Sequence, residues 1–201
     1  EPLRLSLGGS AGHVAIVGAP QSGKSTLLRT LVLSLALTHT PQQVQFACLD
    51  FGGCGLTALA ELPHMSTVAT RQDADLVRRI VAEMTSLLAA REQFYLEHRI
   101  DSVAALRRRA SAGEFLNQRC ADVFLIIDNV LTLRTEFEDL EAKVLDLVNR
   151  GLTYGIHVVA TAGRWFDFRP AMRDAFGSRL ELRLGDPSDS AFGRRAAANV
   201  P

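Results

Sequence analysis

Lysine is almost missing from this chain of 201 residues: Lys24 and Lys143 are the two that occur, and the other basic residues are arginine. Net charge is missing as well, because 22 basic residues offset 22 acidic ones. A balanced chain has no overall field to draw it onto nucleic acid or an anionic membrane, so DNA or lipid would need a local patch. Cysteine is scarce and odd in number. Cys48, Cys54 and Cys120 match neither zinc-ligand spacing nor a CxxC redox pair, which points to free thiols in a reducing cytosol. Cys48 lies within the apolar run VQFACL and reads as core packing. Long apolar stretches are absent too. The longest, LVLSLAL at 31–37, is far short of the roughly 20 residues that span a bilayer, and no signal-peptide pattern opens the chain. Work at a membrane would therefore need an anchor in another segment or subunit. No internal repeat or low-complexity segment appears, and one domain with a full core is the expectation for this length.

What is present alternates between two periodicities. PLRLSL at 2–7 alternates as an edge strand would, GGSAG turns the chain, and HVAIVG reads as a buried strand. After Gly23, Leu27, Leu28, Leu31, Val32 and Leu35 recur at helical spacing. VQFACLD at 44–50 is a second strand, ending in the glycine-rich FGGCG. A long amphipathic helix is predicted from 73 to about 97, and DSVAALRRR at 101–109 reads as a helix with Asp101 as its cap. Its three closing arginines suit a helix C-terminus, where a solvated end is the plain explanation. VFLIID is an uninterrupted apolar strand, FEDLEAKVLDLVNRG a helix, IHVVAT another strand, RPAMRDAFG a short helix and RLELRL a last strand. Apolar strands alternating with helices imply an α/β fold: a mostly parallel sheet with helices on both faces.

The motif that carries chemistry is GAPQSGKST at 18–26, set between a strand and a helix. In GxxxxGK[ST], Gly18 and Gly23 let the backbone bend until successive N–H groups point inward, and the helix that follows adds its positive end. Gly18, Ala19, Pro20, Gln21, Ser22, Gly23, Lys24, Ser25 and Thr26 thus form a cradle for a nucleotide triphosphate. Lys24 is placed for the β- and γ-phosphates and Ser25 for Mg²⁺. Asp128 closes the strand LIID, where a carboxylate holds the metal through water or through Ser25. ATP and Mg²⁺ are the expected cofactors. Hydrolysis also needs a group to orient or deprotonate water, and Asn129 stands where a second carboxylate is usual. An amide orients water without taking its proton, so slow turnover is expected and no catalytic residue is assigned. A small-molecule kinase stays open, although no acceptor or lid motif appears.

GAPQSGKSTLLRTL, LDFGGCGL, LIIDN, YGIHVVAT and SRLELRLGDPSDSAFGRR together resemble the FtsK/SpoIIIE branch of RecA-like motor ATPases. More closely, the chain resembles one ATPase module of the EccC subunits of type VII (ESX) secretion systems, and REQFYLEHRIDSVAALRRR looks like an insertion of those modules. The resemblance implies a single RecA-like P-loop module over 1–201, with its Walker B strand at 123–128. It implies neighbouring ATPase modules and a secreted protein as partners, ring assembly, and a place at the cytoplasmic face of the plasma membrane. It also implies an internal module, the second ATPase domain. Two departures point to weak hydrolysis: Asn129, and Ala162 where DNA translocases carry a phosphate-sensing glutamine. A translocase that hydrolyses ATP is the alternative. Arg164 as a sensor, and Arg107, Arg108 or Arg109 acting in trans, are further expectations without a motif match.

Overall fold

The computed structural model describes residues 5–53, 55–115, 121–198 and 200. Cys54, Cys120 and residues 2–4 of the expected first strand lie outside them. Six strands form one sheet: β1 (Val14–Val17), β2 (Val44–Asp50), β3 (Met65–Thr70), β4 (Asp122–Asp128), β5 (Ile156–Ala162) and β6 (Ser178–Glu181), in spatial order β3-β2-β4-β5-β1-β6. Every pairing between them is parallel. Parallel neighbours cannot be joined by tight hairpins, so the chain crosses back between strands, and helices form most of the return paths.

Those helices are α1 (Lys24–Thr38), α2 (Ala74–His98), α3 (Val103–Ser111), α4 (Val130–Glu136), α5 (Glu138–Arg150), α6 (Pro170–Ala175) and α7 (Arg194–Ala198). The pleat sends alternate side chains to opposite faces. Val14, Ile16, Phe46, Cys48, Phe124, Ile126 and Val159 meet Leu28 and Val32 of α1 on one face. Ala15, Val17, Ala47, Leu49, Leu125, Ile127, Val158 and Ala160 meet α2 and α5 on the other. Both faces are covered, which explains why the central strands read as unbroken apolar runs. Cys48 is buried in this core, as expected.

Four sequence expectations need correction. Residues 5–7 form no strand: Leu5 and Leu7 pack against the α1 side of the core, which needs alternation but no ladder. The cap of α3 is Ser102, whose hydroxyl accepts the Ala105 N–H at 3.2 Å, and Asp101 instead accepts a hydrogen bond from Ser102 Oγ. Two of the three arginines at the end of α3 are tied down. Arg107 pairs with Asp122 at 2.7 Å, and Arg109 holds Glu114 and the His98 carbonyl. The last strand is shorter than RLELRL, yet its bonding runs on: Leu182 N–H donates to the Val17 carbonyl, and Ala19 N–H donates to the Arg183 carbonyl. That extension anchors the first residues of the glycine loop.

Candidate functional site

The C-terminal ends of β1, β4 and β5 lie side by side, and the loops leaving them build the site. Gly18 follows β1, and its N–H donates to the Ala162 carbonyl at the end of β5. A Cβ at Gly18 would collide with the Ser22 side chain, so only glycine lets the loop close this tightly. Gln21 and Gly23 both have positive φ, 60° and 98°, and Gly23 then caps α1. The loop reverses on itself at the start of α1, whose positive end favours an anion, while the N–H groups of Gly18, Ala19 and Ser22 are bonded to the carbonyls of Ala162, Arg183 and Ala19. Ser22 Oγ is buried there without a hydrogen-bond partner.

Lys24 opens α1 and folds back over the loop, its ammonium donating to the carbonyls of Gly18 at 2.6 Å and Ala19 at 2.8 Å. Partial burial lowers its pKa from the ordinary lysine value, while the charges of Asp128 and Asp167 oppose that shift. Ser25, one residue on, donates its hydroxyl to Asp128 Oδ2 at 2.6 Å across the gap between α1 and β4. The residues predicted for the phosphate cradle and those predicted for the metal therefore meet. Pro20, Gln21, Gly23, Lys24, Ser25, Thr26, Gly52, Asp128, Asn129, Ala162 and Gly163 line a single open cavity of about 560 Å³. Asp128 is the one carboxylate among its described lining residues.

Asn129 sits at the rim in the left-handed region, with φ 76° and ψ 79°, linking β4 to α4. Its side-chain amide donates to Thr132 Oγ1 at 3.1 Å and its backbone N–H to Thr161 Oγ1 at 2.8 Å. Ala162 lines the cavity with no polar group to offer. Arg164 lies beyond it, exposed, with its guanidinium 5.5 Å from the Phe166 ring centre.

Sequence reading missed two contributors. Thr161 is fully buried and donates to Asp128 Oδ1 at 2.6 Å, so both oxygens of that carboxylate are held. A polar residue ending the apolar run IHVVA was its only trace in the sequence. Gly52 covers the third side: a Cβ there would come within 2.7 Å of Asp128 Cγ. The run FGGCG was legible as a turn, but that close approach was not.

With this geometry described, the chain can be set beside known proteins. A model of the FtsK/SpoIIIE family matches residues 1–200. The ESX secretion system protein EccC of Thermomonospora curvata is 56% identical over 201 residues, covering all of this chain and 15% of that protein. The ESX-4 secretion system protein EccC4 of Mycobacterium tuberculosis is 50% identical over 202 residues, again covering all of this chain and 16% of the relative. The chain thus spans a small part of these relatives. Among solved structures, ATPases 2 and 3 of Thermomonospora curvata EccC, in complex with a signal sequence peptide, superpose with a TM-score of 0.96 at 56% identity. That match covers all of this chain and 36% of the other. The pCW3 conjugation coupling protein TcpA, solved with ATPγS, shares the fold at a TM-score of 0.75 and 16% identity, over 92% of this chain and 53% of its own. The α/β sheet is that of the P-loop ATPases, and the chain belongs to the FtsK/SpoIIIE family, with high-identity relatives that are EccC proteins.

Proposed function

We propose that this chain is an ATP-holding module of a type VII secretion motor, with little hydrolysis of its own. One observation carries the reading: a complete phosphate and metal cradle opens onto a rim whose only described carboxylate is Asp128, already bonded by Ser25. The residues suit Mg·ATP. Ser22 Oγ lacks a partner, and Lys24 has only backbone carbonyls to exchange for phosphate oxygens. When bound, ATP supplies a transferable phosphoryl group and Mg²⁺ a charge that neutralises its oxygens.

The loop N–H groups and Lys24 would bind the phosphates. Ser25, whose hydroxyl donates its hydrogen bond to Asp128, would offer its oxygen lone pairs to the cation, and Asp128 would hold that hydroxyl in place. Nothing at 129 or 162 takes a proton from water. Asn129 directs its amide hydrogens to Thr132, and Ala162 has none. Groups of the missing kind contribute about 10²–10⁴-fold in rate, so holding outlasts cutting.

The likeness to EccC supports further parts of this reading. They are a single module over 1–201, with neighbouring ATPase modules and a secreted protein as partners; a position as the second ATPase domain and assembly into rings complete the proposal. Among the described residues no helix is long and apolar enough to cross a membrane, so placement at the cytoplasmic face of the plasma membrane would rest on another segment. The test is release of nucleotide from freshly purified protein by denaturation and chromatography, alongside a steady-state phosphate assay. Resident ATP with negligible phosphate release is expected, and Lys24→Ala should abolish retention. Brisk phosphate production by the wild type would overturn the holding role.

A further inference from the structure

The hydroxyl of Thr161 makes two bonds, and both end at the candidate nucleotide site. It is fully buried at the end of β5, donates to Asp128 Oδ1 at 2.6 Å and accepts the Asn129 N–H at 2.8 Å. The neighbouring register pairs Ile126 with Val159 and Ile127 with Ala160, which brings the ends of β4 and β5 together and makes these short bonds possible. Asp128 Oδ2 meanwhile accepts from Ser25 on α1. Two hydroxyls on two different elements thus grip the two oxygens of one carboxylate, and Gly52 closes over it. The terminal torsion of an aspartate is otherwise broad, so a grip at both oxygens selects one plane out of many. The core does not require this hydroxyl, since valine has nearly the same shape and the neighbouring α1-facing residues, Ile16, Ile126 and Val159, are apolar.

We propose that Thr161 is a positioning residue for metal-dependent nucleotide holding. It fixes the plane of the Asp128 carboxylate so that Oδ2 accepts the Ser25 hydroxyl hydrogen bond, leaving the lone pairs of Ser25 for the cation. Its second bond ties that setting to the backbone at 129, where β4 gives way to α4. Hydrogen bonds to a charged acceptor are the stronger class, and their loss leaves a buried carboxylate oxygen unpaired. The role rests on the nucleotide-holding reading above and concerns its Mg²⁺-dependent part.

The experiment is ATP binding by calorimetry to the purified 201-residue chain and to Thr161→Val and Thr161→Ser, each first stripped of resident nucleotide and measured with Mg²⁺ and with EDTA, beside the thermal midpoint of the nucleotide-free proteins. Thr161→Val should weaken Mg·ATP binding about tenfold and leave binding in EDTA within about twofold, while Thr161→Ser restores Mg·ATP binding to within about threefold. Equal Mg·ATP affinity in Thr161→Val and wild type would overturn the role, and so would an equal loss with and without metal, which is the mark of general damage. Should the valine variant not fold, Thr161→Ala against Thr161→Ser puts the same question, and the alanine variant must lose the metal-dependent part for the role to stand. A wild type with no Mg·ATP affinity would remove the holding reading itself. A wild type that binds, with a matching valine variant, would remove only the role of Thr161.

Discussion

Asn129 carries two meanings that its backbone separates. A residue with φ 76° and ψ 79° is in a region that most side chains enter at a cost of roughly 1–2 kcal/mol, and that glycine and asparagine tolerate. Asparagine is therefore favoured here by the turn from β4 into α4, independently of its failure to act as a base. Asn129→Gly should then shift the unfolding midpoint only slightly, since it loses the bond to Thr132 but adds no backbone strain. Asn129→Glu should cost about 1 kcal/mol by adding strain and removing the bond to Thr132. It should raise phosphate release by only a few fold, since Ala162 remains without a polar group. Denaturant unfolding and a phosphate assay on the three proteins check both halves, and a hundredfold gain in rate would show that the missing carboxylate was the sole defect. From the sequence alone the absence of an acid at 129 was visible. The positive φ that accounts for the asparagine was not, because one residue gives no periodicity to read.

Elements were legible where burial is either complete along a strand or periodic along a helix. β2, β4, β5, α1 and α2 carry long runs or repeats: β2 spans the residues read for it, β4, β5 and α2 differ by one position at an end or both, and the repeat read for α1 stops at Leu35, three residues before its end. β3, α4 and the five-residue α7 were missed. β3 is an edge strand with exposed or half-buried Ser66, Thr67 and Val68, so no clear period appears, and α4 has seven residues, too few for a helical repeat. The cap of α3 shows the resolution of such reading: the helix was found, but its first hydrogen bond falls one residue later than Asp101. Ser102→Ala should lower stability by about 1 kcal/mol and Asp101→Ala by clearly less, measured as shifts of the urea midpoint. Equal shifts would mean that the Ser102 to Ala105 bond does not hold the helix start.

Across the whole molecule the two ends of the sheet divide the chemistry. The C-terminal ends carry the phosphate loop, Asp128 and Thr161, while the N-terminal ends of β4 and β5 carry a buried polar network that no motif announced. There His157 lies 3.3 Å from Asp122, donates from Nδ1 to the Gly12 carbonyl and stacks on Phe124. His13 is fully buried beside it, with Nδ1 accepting the Val158 N–H at 2.9 Å, and burial together with the His157 charge lowers its pKa to about 4. The unfolded chain binds a proton at this histidine below its ordinary value near 6.5, whereas the folded chain does not until about pH 4. Stability should therefore fall as pH drops from about 6.5 to about 4 and stop falling from this source below that, by about 3 kcal/mol in all. Asp122, whose pKa is lowered, adds its own loss in a more acid range, because folding favours its ionised form. His13→Gln keeps a side-chain oxygen that accepts an N–H but has no proton to gain. Its urea midpoint should vary much less between pH 7 and 4.5 than that of the wild type. Parallel pH profiles for the two proteins would assign the acid sensitivity elsewhere, to groups outside this end of the sheet.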